Sequence, residues 1–203
     1  ERLLRAFVAL DATRIEIDPL AILPDGRLLA LGAGLTIDDN ALFRQPEMRA
    51  FRVEDEIETN TQRHQLNYMR LDGDIGLAAN GAGLGLATLD MVRAAKGHPA
   101  NFMDIRTTAT SLDIAYGFGL ILDNPKVRAL LINVHGGGMQ PCDTVADGLG
   151  IAMRRTGRSL PTVVRLAGNN AAFARTRFEN CGCPIVDCPD MWTAAQEAVA
   201  AAR

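Results

Sequence analysis

The stretch "LLINVHGGGMQPCDTVADGLGIAMRRTG", residues 130–157, decides the fold of this chain. Its first, apolar part is typical of a buried strand, and its last part has the pattern of a helix. Between them lie a histidine and three glycines, Gly136, Gly137 and Gly138. Glycines carry no Cβ, so they leave the backbone amides open where the strand gives way to the helix. The stretch predicts a β-α unit with an accessible turn.

The same alternation of apolar runs and helix-length segments extends from Leu66 to the end of the chain. Unalternated apolar runs separated by helices favour a parallel sheet that is covered on both faces. The fold class predicted for residues 66–203 is therefore α/β, a flavodoxin-like doubly wound layer around a five-stranded parallel sheet. The predicted strands are 74–80, 100–105, 129–134, 161–168 and 184–188, and the predicted helices are 83–96, 110–122, 140–157, 169–180 and 191–202.

The beginning of the chain is organised differently. Residues 1–50 have the pattern of a helix followed by a β-hairpin, with Asp25 and Gly26 at the centre of its turn. One helix and a strand pair cannot bury a core of their own, so we expect this part to pack against residues upstream of the sequence. Residues 51–65 are charged and poor in apolar side chains, and we predict a linker or an exposed helix there.

The composition excludes several classes of protein. Of the 203 residues 48% are apolar and 22% charged, which is typical of one globular domain and part of another. A net charge of −3 offers no basic surface for nucleic acid, and no apolar run of about 18 residues is available to span a membrane. The chain does not begin with Met and opens on a helix-like sequence, so we expect it to be part of a longer protein.

Two glycine-rich turns follow predicted neighbouring strands, "NGAGLG" at 80–85 and "HGGGM" at 135–139. Ligands of doubly wound sheets bind at the carboxyl ends of the strands, and the amino ends of helices attract anions. Either turn alone is equally compatible with tight packing. The pair favours a site for a doubly charged or two-part anion, such as a phosphoryl group beside a carboxylate, with Asn80 as an amide donor.

The residues around these turns argue against two common sites. A phosphate-accepting receiver domain would need acidic residues and a lysine where Asn80, His135 and Cys188 stand. The glycines of 80–85 lack the G-x-G-x-x-G spacing of a dinucleotide site. His135 itself has two interpretations: an acid, base or hydrogen-bond donor for an acidic substrate, or a side chain that fills space at the strand end.

The chain contains four cysteines, which are too few and too clustered for a disulfide framework. We therefore expect a reducing, cytoplasmic location. Three of them could form a soft metal site, but their C-x-C-x4-C spacing lacks the paired C-x2-C of zinc sites and favours small buried thiols. The four are Cys142, Cys181, Cys183 and Cys188.

Several stretches together resemble the β subunit of succinyl-CoA synthetase and its relatives malate-CoA ligase and ATP-citrate lyase. They occur in family order and span almost the whole chain: "EIDPL" (16–20), "DDNALFRQPE" (38–47), "LNYMRLDGDIGLAANGAGLGLATLDMV" (66–92), "HPANFMDI" (98–105), "LINVHGGGMQPCDTVADG" (131–148) and "PTVVRLAGNN" (161–170). The resemblance implies that residues 1–50 are the carboxy-terminal remnant of an ATP-grasp domain. Residues 66–203 would be the CoA-ligase domain.

The resemblance also implies a site shared with a second subunit. In that family the α subunit binds CoA and carries a histidine that becomes phosphorylated. The helix predicted to start at Met139 would cradle that phosphohistidine on the amides of residues 136–138. Asn80 matches the position that holds the acid, and Gly137, Gly138 and Met139 match the positions that complete the acid pocket. The substrate class implied is a dicarboxylic acid.

The resemblance further places part of a nucleotide site in the first 50 residues. Glu16 matches the acidic residue that assists phosphorylation of the histidine. The family's Mg²⁺ ligands here are an asparagine and an aspartate, whose places are taken by Asp18 and Gly32. Glycine supplies no oxygen ligand from a side chain, so Mg²⁺ binding should be weaker unless Asp18 compensates. Most of the site for Mg²⁺ with ATP or GTP would lie upstream, and CoA would come with the α subunit.

Other departures from the family lie near the acid pocket. Arg106, Thr107 and Thr108 replace a glycine triplet, Gln140 replaces an arginine, and Gly138 replaces an apolar residue. Arg106, Gln140 and His135 change the expected rim of the pocket, and Arg106 and His135 add polar and cationic groups there. We therefore expect a hydroxylated, larger or more highly charged acid than succinate.

The leading hypothesis is the β-subunit region of an ATP-dependent acid:CoA ligase of the tricarboxylic acid cycle type. It would act in a heterodimer or heterotetramer with the α subunit and be inactive alone. One alternative is a non-catalytic paralogue or scaffold subunit, which Gly32 favours. Another is a component of a citrate- or malate-type ligase-lyase.

Overall fold

The computed structural model describes residues 1–49, 51, 56–182 and 184–203. The chain divides into two compact units, Glu1–Glu54 and Asp55–Arg203. Among the described residues, no helix has both the length and the apolar character needed to cross a membrane.

The first unit begins with helix α1 (Arg2–Ala9), followed by the predicted hairpin in two segments. Strand β1 (Ala12–Ile17) pairs antiparallel with β4 (Ala33–Ile37), and β2 (Leu20–Ile22) pairs antiparallel with β3 (Leu28–Ala30). A 3-10 helix (Asp39–Arg44) and the short α2 (Pro46–Arg49) complete the unit.

The first unit leaves much of its apolar surface open, as expected for a strand pair with one helix. Helix α1 has no buried residue, and most leucines of the hairpin are exposed. Of the apolar residues described in this unit, only Ala12 and Ala41 are buried.

The segment 51–65 is only partly what its composition predicted. Residues 52–55 lie outside the described residues, but helix α3 (Glu56–Arg63) forms in the second unit and packs on strand β5 (Leu66–Arg70). Thr61 is fully buried in this contact, and its hydroxyl donates to the Glu58 carbonyl oxygen at 3.0 Å. The described part of the segment is therefore a packed helix rather than a linker.

The second unit contains the predicted doubly wound sheet. Its parallel strands are β6 (Ile75–Ala79), β7 (Asn101–Ile105), β8 (Ala129–Gly136), β9 (Thr162–Gly168) and β10 (Ile185–Asp187). The sheet order is β10-β9-β8-β6-β7-β5. The five parallel strands have the flavodoxin order 2-1-3-4-5, which confirms the predicted fold class.

The sheet has six strands, so the predicted number of five is wrong. The additional strand, β5, pairs antiparallel with β7 at the edge of the sheet. Its side chains alternate between the core and the outer surface, with Leu66 and Tyr68 buried. Such alternation is typical of an antiparallel edge strand and differs from the apolar runs of the parallel strands.

Five helices cover the sheet, as predicted. Helices α4 (Ala82–Ala94) and α8 (Met191–Ala201) pack on each other and on one face. Helices α5 (Ser111–Leu122), α6 (Cys142–Thr156) and α7 (Ala171–Glu179) pack side by side on the other face.

A capping network closes the start of α5. Thr110 and Asp113 bond each other's backbone amides, and His64 Nδ1 lies 2.9 Å from Asp113 Oδ1. Burial alone would raise the pKa of Asp113, but the hydrogen bonds from Thr110 and His64 outweigh it and hold that pKa below 3.8. The carboxylate form therefore stabilises the folded state.

We expect Asp113→Ala to reduce the free energy of unfolding by about 1 kcal/mol at pH 7, because a helix cap is lost. The folded pKa is below the unfolded value, so the contribution is present above the unfolded pKa and is lost as the pH falls through the folded one. Urea unfolding at pH 7 and near the folded pKa measures this, with Asp123→Ala at the other end of α5 as control. An equal loss at both pH values would contradict the assignment to the carboxylate.

Candidate functional site at the carboxyl edge of the sheet

Three loops meet where the order of the parallel strands reverses. The loops at 80–83, 106–109 and 136–140 follow β6, β7 and β8, and β6 lies between the other two strands. Helix α4 leaves β6 toward one face, whereas α6 leaves β8 toward the other. Such a reversal opens a crevice at the carboxyl edge of a doubly wound sheet, where ligands bind.

Asn80 connects the ends of β6 and β8. Its Nδ2 donates to the His135 carbonyl oxygen at 2.8 Å, and its Oδ1 accepts from the His135 amide at 2.8 Å. Both polar atoms of the side chain are therefore engaged with backbone. A ligand can bind the second N–H of Asn80 Nδ2 while both bonds remain, and the sequence did not indicate that these bonds orient the side chain.

Asp104 connects the ends of β6 and β7. Its side chain is 6% exposed, and its Oδ1 accepts from the Gly81 amide at 2.7 Å. Its Oδ2 accepts from Asn67 Nδ2 at 2.9 Å, and Asn67 Oδ1 in turn accepts from Arg106 Nη2 at 2.7 Å. A continuous set of hydrogen bonds thus runs from the exposed Arg106 to the first turn of α4.

Gln140 connects the remaining pair of loops. Its amide nitrogen faces two carbonyl oxygens and donates to Arg106 O at 3.3 Å and to Ala109 O at 3.2 Å, an orientation assigned from these partners. Only 2% of Gln140 is exposed. The expectation that Gln140 lies at the rim of the acid pocket is therefore wrong, because its amide is buried between the loops.

The glycine loop differs from the prediction in where the helix begins. Helix α6 starts at Cys142 with Pro141 as its cap, and not at Met139. Gly136 belongs to β8, and Gly137 donates to the Gln140 carbonyl oxygen at 3.1 Å. The amides of Gly138 and Met139 have no hydrogen-bond partner among the residues described, so they face outward from a loop rather than from a helix end.

The 80–83 loop presents the amino end of α4. Gly81 caps this helix, and its own amide is held by Asp104. The next three amides, those of Ala82, Gly83 and Leu84, have no acceptor within the described parts of the chain. Residues 81–83 are exposed, so a ligand can reach amides that carry the positive end of the helix dipole.

Two basic side chains lie near this edge. Arg106 and His135 are exposed, and the other guanidinium nitrogens of Arg106 have no partner among the described residues. The three loops together therefore offer open amides, a guanidinium and an imidazole, which suit an anionic ligand with carboxylate or phosphoryl groups.

The cysteines do not form a metal site in the described chain. Cys142 and Cys188 are buried thiols and Cys181 is partly exposed, and no group of three His, Cys, Asp or Glu residues could hold a metal ion within residues 1–49, 51, 56–182 and 184–203. Cys183 lies outside the described residues. Burial raises the pKa of the Cys142 and Cys188 thiols, as expected for small residues of the core.

Glu16, Asp18 and Gly32 belong to the first unit. Glu16 on β1 is half-exposed and pairs with Arg14 at 2.7 Å. The Asp18 amide donates to the Gly32 carbonyl oxygen at 3.2 Å, and a Cβ placed on Gly32 would lie 2.3 Å from the Asp18 carbonyl oxygen. Close approach of the two backbones therefore explains Gly32, and an aspartate could not be restored there without moving the chain.

Asn67 and Asp104 are the residues of the site that sequence reasoning missed. Asp104 directly precedes the Ile-Arg end of β7, so its position at a strand end was a usable signal. Asn67 had no signal, because it lies on the strand that the apolar pattern did not reveal.

Comparisons with known proteins identify the family. The chain matches the CoA-ligase family model over residues 78–199. It is 42% identical over 204 residues to the succinate–CoA ligase (ADP-forming) subunit beta of Anaeromyxobacter dehalogenans strain 2CP-C, covering 99% of this chain and 52% of the relative. The Dichelobacter nodosus strain VCS1703A subunit is also 42% identical, with coverage of 100% and 53%. The chain thus spans about half the length of the curated relatives it matches.

Solved structures share the fold. The structure of ATP citrate lyase from Methanothrix soehngenii in complex with citrate and coenzyme A matches 98% of this chain and 57% of its own, with a TM-score of 0.76 and 17% identity. PH0766 from Pyrococcus horikoshii OT3 matches 66% of this chain and 36% of its own, with a TM-score of 0.53 and 17% identity. At such identities the likeness concerns the fold alone.

Proposed function

Because the chain belongs to the CoA-ligase family, we propose that it is the β-subunit region of an ATP-dependent acid:CoA ligase. The reaction would proceed through an acyl phosphate and a phosphohistidine carried by an α subunit, in a heterodimer or heterotetramer in the cytoplasm. Identity of 42% to ADP-forming succinate–CoA ligase β subunits over nearly the whole chain supports this proposal.

The observation that carries the proposal is the pair of open turns on β6 and β8. These strands are hydrogen-bonded neighbours, and Asn80 joins their ends. The amides of residues 82–84 and of 138–139 are open beside this connection. Preorganised amides of this kind stabilise negative charge without having to reorganise during a reaction.

We assign the following roles to the residues of these turns. Asn80, with Gly137, Gly138 and Met139, holds the acid, and in the 136–140 loop the open amides of Gly138 and Met139 face the phosphoryl group that the α subunit presents, because the Gly137 amide is bonded to Gln140. CoA is bound through the α subunit. Arg106 and His135 favour a dicarboxylic acid with a hydroxyl or an extra carboxylate over succinate, because a guanidinium binds a carboxylate through two parallel hydrogen bonds.

The residues at the two resembled Mg²⁺ positions fit the metal poorly. Glu16 is proposed to assist phosphorylation of the histidine, and Asp18 is the single carboxylate at the positions that resemble the family's metal ligands. With Gly32 unable to ligate through a side chain, the donors present do not make up a Mg²⁺ site. No step is assigned to the metal from these residues.

Gly32 also favours a second candidate function, a non-catalytic paralogue or scaffold subunit that keeps the α contact and has lost nucleotide chemistry. A citrate- or malate-type ligase-lyase component is a third candidate of the same fold. The fold likeness to ATP citrate lyase does not separate these two enzyme classes.

The test compares this chain alone with the complete β chain assembled with its α subunit. We expect acyl-CoA formation from acid, ATP and CoA only in the assembly, together with a phosphohistidine on the α subunit. The readouts are acyl-CoA by mass spectrometry and acid-labile ³²P on the α chain. Acyl-CoA made by the isolated chain would contradict the proposal that this chain needs the α subunit and the rest of the β chain. An inactive, unphosphorylated assembly would favour a non-catalytic scaffold subunit.

A further inference from the structure

The hydrogen bonds between Arg106 and the amino end of α4 pass through two residues that contact no proposed ligand. Arg106 donates to Asn67 at 2.7 Å, Asn67 donates to Asp104 at 2.9 Å, and Asp104 accepts from the Gly81 amide at 2.7 Å. We propose that Asn67 is a positioning residue, which fixes Arg106 beside the 80–83 turn so that the guanidinium selects the acid. This inference rests on the proposed function and adds the determinant of its specificity.

The first argument concerns the geometry of Arg106. An exposed arginine loses rotamer entropy when it is held in one orientation. Asn67 holds one guanidinium nitrogen before any ligand arrives, so part of this loss has already occurred. Asn67 uses one hydrogen of Nη2, and the second hydrogen of Nη2 with a neighbouring N–H group still forms one planar fork that matches a carboxylate. The Arg106 guanidinium is therefore held in one orientation before the acid binds.

The second argument concerns charge. Asp104 is a buried carboxylate at the amino end of α4, where its negative charge opposes the attraction of the helix dipole for an incoming anion. Asn67 is neutral, so Asp104 has no direct ion pair along this path. Arg106 lies at the other end of the path and offsets the charge of Asp104. Loss of Arg106 should weaken the binding of every acid. Loss of Asn67 should remove only the fixed orientation of the Arg106 guanidinium.

The third argument separates positioning from mere support. Asn67 and Asp104 face each other in the register of β5 and β7, so their bond also joins two strands. If support were its only role, removing Asn67 would lower stability and leave the preference among acids unchanged. If Asn67 orients Arg106, removing Asn67 should weaken the binding of the preferred acid and leave the binding of succinate unchanged. The reason is that the preferred acid makes a contact with Arg106 that succinate does not make.

The experiment uses the assembled α/β enzyme and measures kcat and KM for succinate, for malate and for a tricarboxylate. We expect Asn67→Leu to raise KM for the acid preferred by the wild type about tenfold, with kcat and the values for succinate within about twofold. Arg106→Gln should raise KM for all acids and abolish the preference. Arg93→Gln, an exposed arginine at the end of α4, is the matched control and should change nothing.

A double-mutant cycle makes the test independent of folding. In the Arg106→Gln background, Asn67→Leu should produce no further change in acid preference, since its effect passes through Arg106. Arg106→Lys keeps the charge but loses the fork, and it should lose the preference while binding succinate normally. Equal losses for all acids in Asn67→Leu, or additive effects in the cycle, would overturn the positioning role. A wild-type assembly that makes no acyl-CoA from any acid would overturn the proposed function instead.

Discussion

Gly136→Ala is expected to lower the free energy of unfolding of the second unit by about 3 kcal/mol, the upper end of the usual cost of overpacking and a large part of the stability of a domain. A Cβ at this position would lie 2.3 Å from the Asn169 carbonyl oxygen and 2.9 Å from both the Asn169 amide nitrogen and Cys142 Sγ. Two of these atoms are backbone and cannot rotate away. The Asn169 amide also donates to the Gly136 carbonyl oxygen at 2.9 Å, so separating the chains costs that hydrogen bond too.

Urea unfolding followed by circular dichroism measures this loss, and Gly138→Ala is the matched control. A Cβ on Gly138 would have no atom within 4 Å, so its stability should remain within about 0.5 kcal/mol of wild type. If both variants unfold at the same urea concentration, the packing of Gly136 against the 168–169 turn is not what holds the loop.

Asn80→Ala is expected to reduce kcat/KM of the assembled enzyme roughly a hundredfold. The variant removes two hydrogen bonds, each of 2.8 Å, and leaves the amide and carbonyl of His135 without these partners. Each unmade bond costs about 1–3 kcal/mol, and about 2.7 kcal/mol in transition-state binding corresponds to a hundredfold. The ends of β6 and β8 would no longer hold the two amide-lined turns in register.

Asn180→Ala is the control for this measurement. Asn180 is exposed and its Nδ2 donates to one backbone carbonyl oxygen, that of Thr176. It is the carboxy-terminal cap of α7. Activity should stay within about twofold of wild type. An Asn80→Ala enzyme with a lower melting temperature but normal kcat/KM would assign Asn80 to structure alone.

The sequence predicted the parallel sheet because its strands are continuous apolar runs, such as residues 129–134. Strand β5 was not predicted, because only its alternate residues face the core and the intervening Asn67 is polar. Pattern reasoning detects strands that are buried on both faces more readily than an edge strand with one buried face.

The start of α6 was predicted about three residues too early, although the sequence contained the correct signal. Gln140 precedes Pro141, and the residue before a proline avoids the helical conformation. A helix could therefore not run through Gln140, and Pro141 caps it instead.

The glycine turns were predicted, but the bonds that organise them were not. Asn80 contacts His135 across 55 positions, and Asp104 contacts Gly81 across 23. Side-chain bonds over such separations depend on strand order, which no local pattern encodes. Gln140 shows the consequence: a polar residue beside a glycine turn was expected at the rim, yet its amide ties two loops from within.

The hydrogen bonds that connect the three loops have a consequence for attempts to change the acid that such an enzyme uses. Hydrogen bonds from three side chains join the loops in pairs, so the position of each loop depends on the other two. The loops are 80–83, 106–109 and 136–140, and the side chains are those of Asn80, Asp104 and Gln140. A loop transplanted singly from a relative would arrive without its matching partners and leave buried polar atoms unpaired. The three loops should therefore be exchanged as a set, together with Asn67 and Asp104, which lie outside the loops and bond to them.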